Sequence, residues 1–174
     1  MEAREYTIGP SARCTMQAQV TGMDVEDRLA AMGLVLPVPP APVGNYRAGL
    51  IRGTFGSLSG QLPIRDGKPA VTGVLGLDLT VDQGQAAAQL AGLNVLAQLK
   101  QLLGTFDRLA GLIRVDGFVA SIPEFERHPA VLDGASDLFA AVLGERGVHT
   151  RSAIGATSLP LRMPVELVVT FATT

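Results

Sequence analysis

The stretch of sequence that decides the fold is Pro164-Val165-Glu166-Leu167-Val168-Val169-Thr170-Phe171-Ala172. Its side chains alternate with the period of two that a β-strand imposes. One face is apolar and consists of Val165, Leu167, Val169 and Phe171. The other face carries Glu166, Val168 and Thr170, so only one charge interrupts it. A strand of this composition is expected where something covers the sheet on each side.

Two long amphipathic helices are predicted upstream of this strand. The first follows Thr80, which has capping-box spacing to Gln83, and ends at Gly104. The second runs from Pro129 to about Leu143. Further strands are predicted in a glycine-rich hairpin at 46–62 with its turn near Arg52-Gly53, in a short segment within 64–79, at 112–120 and at 150–157.

The N-terminal part of the chain has weaker signals. Residues 1–23 lack clear periodicity and are interpreted as a poorly ordered lead-in, so that the single domain spans 24–174. Asp24 is expected to cap a short helix over Val25–Met32. The proline-rich run at 37–42 cannot be helical and is interpreted as an extended connector.

The predicted fold is therefore an α+β sheet with two long helices on one face. Within the strand at 112–120, Ile113, Val115 and Val119 are expected to point one way and Arg114, Asp116 and Phe118 the other. Two helices suffice for one face of such a sheet, and the second face is most simply covered by another subunit. The sequence thus predicts a homo-oligomer.

Composition narrows the classes of function. The chain has 174 residues, of which 47% are hydrophobic and 17% charged, against about 25% charged in a typical soluble domain. A net charge of −2 without a basic run argues against a nucleic-acid partner. A lone cysteine, Cys14, and the absence of a signal peptide or a long apolar run indicate a cytoplasmic protein that does not span a membrane.

Arg151 is the first residue that suggests chemistry. It begins a predicted strand, and the small residues Ala153 and Gly155 follow on the same face. A guanidinium that faces space left by small residues can grip a carboxylate through two parallel hydrogen bonds. A structural ion pair with a neighbouring carboxylate is the alternative. His149 lies two residues before Arg151 on the same face, and both a ligand contact and a surface role stay open for it.

Glu166 is the expected neighbour of Arg151. A short segment joins the strands at 150–157 and 164–172, so the two are predicted to pair antiparallel. A buried carboxylate with a raised pKa could orient a water or relay a proton, or could simply hold Arg151 in place.

These residues carry a resemblance to a known family. Ser59-Gly60-Gln61-Leu62-Pro63, Arg151-Ser152-Ala153-Ile154-Gly155, Leu159-Pro160 and Val165-Glu166 occur in an order and spacing that resemble the reactive-intermediate deaminase (RidA/YjgF) family. Gly134-Ala135-Ser136-Asp137-Leu138 and the proline-rich run resemble its chorismate-mutase-like branch. The resemblance covers about residues 24–172. It implies a six-stranded, mainly antiparallel sheet with two helices on one face, assembled as a homotrimer with sites between subunits.

The resemblance also implies a site. In deaminating members an arginine at the position of Arg151 binds the substrate carboxylate, and a glutamate at the position of Glu166 handles the water. The implied substrate-binding set is Tyr46, Ser59, Gly60, Ala153 and Gly134. No metal and no organic cofactor is implied. The chain departs from the deaminase pattern at Ala153, where many members have cysteine, and at Asp133-Gly134, where some have asparagine.

Three functions remain open at this point. The first is hydrolysis of enamines or imines derived from amino acids, of the 2-iminobutanoate/2-iminopropanoate deaminase type. The second is a non-catalytic module that binds small carboxylate-bearing metabolites through Arg151. The third, an endoribonuclease, follows from a label used for the family, and the lack of a basic stripe argues against it.

Overall fold

The computed structural model describes residues 23–42 and 44–174, so the lead-in predicted at 1–23 lies almost wholly outside the described residues. This described part forms three α-helices, α1 (Val25–Ala31), α2 (Val81–Leu103) and α3 (His128–Leu143). Its strands are β1 (Gly49–Arg52), β2 (Phe55–Gln61), β3 (Ile64–Arg65), β4 (Lys68–Pro69), β5 (Leu109–Ala120), β6 (Thr150–Ala156) and β7 (Val165–Thr173). The predicted α+β class is confirmed.

The helices begin and end where the local sequence signals predict. Thr80 and Gln83 form a reciprocal capping box at the start of α2, and Gly104 ends it at a φ of 82°. The carboxylate of Asp24 accepts a hydrogen bond from the Asp27 backbone at the start of α1. None of the helices in the described part of the chain combines the length and the sustained apolar character needed to cross a bilayer.

The main sheet has the strand order β1-β2-β7-β5-β6. β6 pairs parallel with β5, and β7 pairs antiparallel with both β2 and β5. The predicted antiparallel pairing of β6 with β7 is therefore wrong. A helix between two strands favours a crossover that returns the second strand parallel to the first, and α3 makes this connection from β5 to β6. The segment between β6 and β7 then crosses the end of β5 instead of closing a hairpin.

The main sheet has five strands among the described residues, not the predicted six. The residues of β3 and β4 pair only with each other, around a turn at Asp66-Gly67 in which both residues have positive φ. That geometry closes a two-residue hairpin. The hairpin forms a separate two-stranded sheet outside the main sheet. In β5, a register irregularity between Leu112 and Arg114 leaves Ile113 exposed, so the prediction that it shares a face with the buried Val115 and Val119 is also wrong.

The two long helices cover one face of this sheet, as predicted. The covered face of β7 consists of the fully buried Val165, Leu167, Val169 and Phe171. The opposite face has no cover within the described chain and remains partly accessible. Its apolar side chains include Leu50, Phe55, Phe118, Ile154 and Val168.

The contact between α2 and α3 depends on Gly134. A Cβ at this position would overlap the backbone carbonyl oxygen of Gln85 in α2. The Gln85 side chain also donates a 2.8 Å hydrogen bond to the Ala130 carbonyl, which ties the helices together at this point. The structure thus gives Gly134, which was predicted to bind substrate, a packing contact between helices.

Gly134→Ala should lower the free energy of unfolding by about 1–3 kcal/mol, because the added methyl forces the helices apart. Helix propensity alone would raise stability by up to about 1 kcal/mol, so the sign of the change separates the two effects. Urea unfolding of both proteins measures it. An unchanged or higher midpoint would contradict a tight approach of α2 and α3 at this residue.

Candidate functional site

Arg151 lies in β6 on the side of the sheet that faces the helices. It pairs with Val115 of β5, a core residue, and its own side chain is 22% exposed. The guanidinium meets three acceptors on α3. Nη1 donates to Oδ1 of Asp133 at 2.9 Å and to Oγ of Ser136 at 3.0 Å, and Nη2 donates to the Pro129 carbonyl at 3.3 Å.

The acceptors occupy one face of α3 because their spacing follows the helical repeat. Pro129, Asp133 and Ser136 are four and three residues apart, which places them side by side along a helix. Asp133 and Ser136 were not predicted as partners of Arg151, although their spacing places both on one face of the predicted helix. The ion pair proposed as the alternative for Arg151 is present, with Asp133 as its carboxylate.

These contacts leave one edge of the guanidinium available. An arginine has five N–H donors, and three of those on Arg151 are used. The Nε–H and one N–H of Nη2 have no acceptor among residues 23–42 and 44–174. Nε and Nη2 border the edge that binds a carboxylate through two parallel hydrogen bonds. α3 therefore holds Arg151 with two N–H donors that the described residues leave without an acceptor.

A further hydrogen-bonded pair adjoins Arg151. His149 Nδ1 lies 2.6 Å from the Gly147 carbonyl oxygen, which can only accept, so Nδ1 carries the proton. In the neutral ring Nε2 then accepts from the Ser136 hydroxyl at 3.1 Å. The oxygen of Ser136 in turn accepts from Arg151. His149 is thus linked to Arg151 through the Ser136 hydroxyl, which places it beside the candidate site.

Glu166, the second predicted catalytic residue, lies beside Gly60 on the uncovered face of the sheet. β2 has one extra residue relative to β7 between Leu58 and Gln61, and this bulge contains Ser59 and Gly60. The carboxyl group of Glu166 occupies the space that a Cβ on residue 60 would fill. Burial in this position raises the pKa of Glu166. A carboxyl group with a raised pKa is suited to proton transfer near neutral pH.

Tyr46, Ser59 and Gly60 line one cleft, so the structure brings three of the predicted binding residues together. Pro40 and Pro42 of the proline-rich run also line this cleft. This run is not helical, as predicted, and the buried Gln98 of α2 donates a 2.7 Å hydrogen bond to the Pro40 carbonyl.

The two groups do not meet within one chain. Arg151 lies in the row of Val115 and Val169, on the helix side, whereas Glu166 points to the other face three residues along β7. With strands about 4.8 Å apart and a rise of about 3.3 Å per residue, the two Cα atoms are roughly 14 Å apart. The expected contact of Arg151 with Glu166 is thus wrong within a subunit, because it assumed that β6 and β7 were neighbours.

The remaining predicted residue, Ala153, lies on the face of Arg151 and packs against the core. The space expected beyond Arg151 is filled further along this face, because a Cβ on Gly155 would meet the His128 ring. Within the described residues, no three His, Cys, Asp or Glu side chains come together in a way that could hold a metal ion.

Glu166 should make stability fall as pH rises. Because its pKa is raised in the folded state, the native protein binds more protons than the unfolded chain at pH values between the unfolded and folded pKa. The free energy of unfolding therefore decreases through that window and stays lower above it. Glu166→Gln cannot ionise and should gain stability relative to wild type above the window. Urea unfolding from pH 4 to 8 tests this, and a difference that does not vary with pH would contradict it.

Known proteins resemble this chain over most of its length. The family model described as YjgF/chorismate mutase-like matches residues 26–174, and its description adds an endoribonuclease label. Protein TCP17 of Trypanosoma cruzi is 40% identical over 144 residues, which cover 82% of this chain and 90% of that protein.

Solved structures agree with this relationship. The protein Atu1372 of Agrobacterium tumefaciens, whose function is unknown, superposes with a TM-score of 0.81 at 42% identity, over 86% of this chain and 94% of its own. Escherichia coli TdcF, solved with bound serine, has a TM-score of 0.59 at 18% identity, over 79% and 94% of the two chains, and shares the fold. The resemblance found in the sequence is confirmed, and the chain belongs to the YjgF/chorismate mutase-like family.

Proposed function

We propose that the protein hydrolyses reactive enamines or imines derived from amino acids, in sites between the subunits of a homotrimer. Arg151 holds the substrate carboxylate, and Glu166 of a neighbouring subunit activates the water. The observation that carries this proposal is the guanidinium of Arg151, which α3 holds through three acceptors while its Nε–Nη2 edge stays available.

The separation of the two groups supports a site made by two subunits. Arg151 and Glu166 lie on opposite faces of the sheet, so they can act on one small molecule only if different chains supply them. The uncovered sheet face exposes Phe55 and Ile154 and needs a cover that a second copy would provide. A ring of three copies would bring the cleft of Tyr46, Ser59 and Gly60 to the Arg151 group of the next subunit, at every interface alike.

The chemistry requires only water and a proton carrier. Glu166 in its carboxylate form takes a proton from water as the water oxygen bonds to the imine carbon. An enamine first takes a proton from solvent on its β-carbon and becomes the iminium. After water has added to the iminium, the protonated Glu166 returns its proton to nitrogen. The hydroxyl lone pair then forms the carbonyl as the carbon–nitrogen bond breaks, and the hydroxyl proton passes to the departing ammonia, so the products are a carbonyl compound and ammonium. The raised pKa of Glu166 suits both directions of this transfer.

An assay with a generated imine tests the proposal. A serine dehydratase produces 2-aminoacrylate, and the rate of pyruvate release is followed with and without the protein. Faster release than in the uncatalysed reaction supports the deaminase. Light scattering should give three times the 18.1 kDa of one chain, and the mass of a monomer would contradict the shared site.

A second candidate is a binding module with the same ligand class. It uses the same anchor, Arg151, and Ala153, where many deaminating members carry a cysteine, favours neither candidate strongly. This candidate predicts saturable binding of small carboxylates without acceleration of imine hydrolysis. An endoribonuclease would need a surface that attracts phosphate, and the net charge of −2 gives it no support.

A further inference from the structure

The imidazole ring of His149 is held in one orientation by backbone and core contacts. Its Nδ1 lies 2.6 Å from the Gly147 carbonyl oxygen. Gly147 packs so closely on α3 that a Cβ there would overlap the Phe139 carbonyl oxygen, which keeps this acceptor beside the helix. The fully buried ring of Phe139 packs edge-on against the imidazole, with 5.8 Å between the ring centroids. These contacts direct Nε2 toward α3 and keep the proton on Nδ1.

The hydroxyl group of Ser136 lies between His149 and Arg151. A hydroxyl has one hydrogen to donate and two lone pairs that accept. Because Nε2 of the neutral ring is an acceptor, the Ser136 hydrogen points to it across 3.1 Å. The lone pairs of the oxygen then accept from Nη1 of Arg151 at 3.0 Å. His149 thus sets the direction of the hydroxyl dipole.

We propose that His149 is a positioning residue for Arg151. By accepting the Ser136 hydrogen, it keeps the hydroxyl oxygen turned toward the guanidinium, so that Arg151 is bonded to α3 before a ligand arrives. This inference rests on the proposed function, in which Arg151 is the anchor for the substrate carboxylate.

The hydrogen bonds run in one direction along this chain of groups. Arg151 donates to Ser136, Ser136 donates to His149, and His149 donates to the Gly147 carbonyl. Bonds arranged in this way polarise and strengthen one another. The Asp133 carboxylate on the same guanidinium is 48% exposed, so water competes for that bond, whereas Ser136 and His149 are half-buried. An arginine ordered in advance loses less conformational freedom on binding, and the effect of His149 should therefore fall on affinity.

The test separates binding from turnover in variants of His149. His149→Leu removes the acceptor for Ser136 and keeps an apolar side chain beside Phe139. KM for 2-aminoacrylate and the dissociation constant of pyruvate should rise by about 3-fold to 10-fold, while kcat changes by less than about twofold. His149→Gln should restore most of the affinity, because its amide oxygen can accept from the Ser136 hydroxyl.

A double-variant cycle with Ser136→Ala identifies the route of the effect. In that background His149→Leu should add no further loss, and an undiminished effect would mean that His149 acts through packing, which would overturn the inference. His128→Leu is the matched control. His128 also bonds a serine, Ser121, at 3.0 Å and packs edge-on against Phe125, and its loss should leave both constants at wild-type values. A rise as large as that in His149→Leu would contradict a role specific to His149.

The outcomes distinguish this inference from the proposed function. Unchanged constants in His149→Leu would overturn it while Arg151 remains the anchor. If wild type neither binds pyruvate nor accelerates imine hydrolysis, the proposed function fails, and NMR of the histidine nitrogens and of the Arg151 Nε–H group decides the inference. An unprotonated Nε2 on His149, with a more mobile Arg151 side chain in His149→Leu, supports it. A proton on Nε2, or equal mobility of Arg151 in the two proteins, refutes it.

Discussion

Replacing Arg151 with alanine should abolish detectable ligand binding and imine hydrolysis together. The substrate carboxylate would lose a charge-assisted bidentate pair, and each such hydrogen bond contributes about 1.5–3 kcal/mol. Together these bonds predict a loss of at least about 100-fold in kcat/KM. The measurement is kcat/KM for 2-aminoacrylate, alongside the affinity for pyruvate, the carboxylate product.

Two further variants, Arg151→Lys and Ser136→Ala, are the controls for this result. Lysine keeps the charge but not the planar pair of donors, so it should recover only part of the activity. Ser136→Ala keeps Arg151 but removes one of its three acceptors, and should cause a smaller loss than Arg151→Ala. Equal rates for wild type and Arg151→Ala, with the fold intact by circular dichroism, would remove Arg151 from the mechanism.

The fold could be predicted from the sequence wherever the signal was local. The capping box at Thr80, the turn at Gly53 and the period of two in β7 each depend on residues a few positions apart, and each is confirmed. Strand pairing depends on contacts distant in sequence. The antiparallel pairing of β6 and β7 was inferred from a short connection, whereas the helix before β6 determines its direction.

The same error explains what was missed at the candidate site. Once β6 and β7 were taken as neighbours, Glu166 became the obvious carboxylate for Arg151, and Asp133 on the preceding helix was overlooked. The crossover that places α3 over β6 brings Asp133 and Ser136 to the guanidinium. The prediction that Tyr46, Ser59 and Gly60 belong to one site came from the family resemblance. These residues differ in type and share no periodic spacing, so the sequence alone does not group them, although all three line one cleft.

Mixing two inactive variants should restore activity. Glu166→Gln should slow turnover by about 100-fold or more, as expected for a lost general acid and base, while ligand binding persists. Arg151→Ala should fail through binding. In a trimer whose sites each combine Arg151 of one chain with Glu166 of the next, random assembly of the two variants leaves both residues intact in about one quarter of the sites.

The experiment unfolds and refolds the variants together in equal amounts and compares the rate with each variant refolded alone. About a quarter of the wild-type rate per chain is expected, because an intact site needs only one suitable neighbour. No recovery, with mixed trimers verified by native mass spectrometry, would mean that one chain supplies both residues. The opposite faces that Arg151 and Glu166 occupy would then have to be reconciled by a rearrangement of β6 on assembly. Recovery of activity would instead explain why the open sheet face and the open guanidinium edge occur in the same molecule: each is completed by the neighbouring subunit.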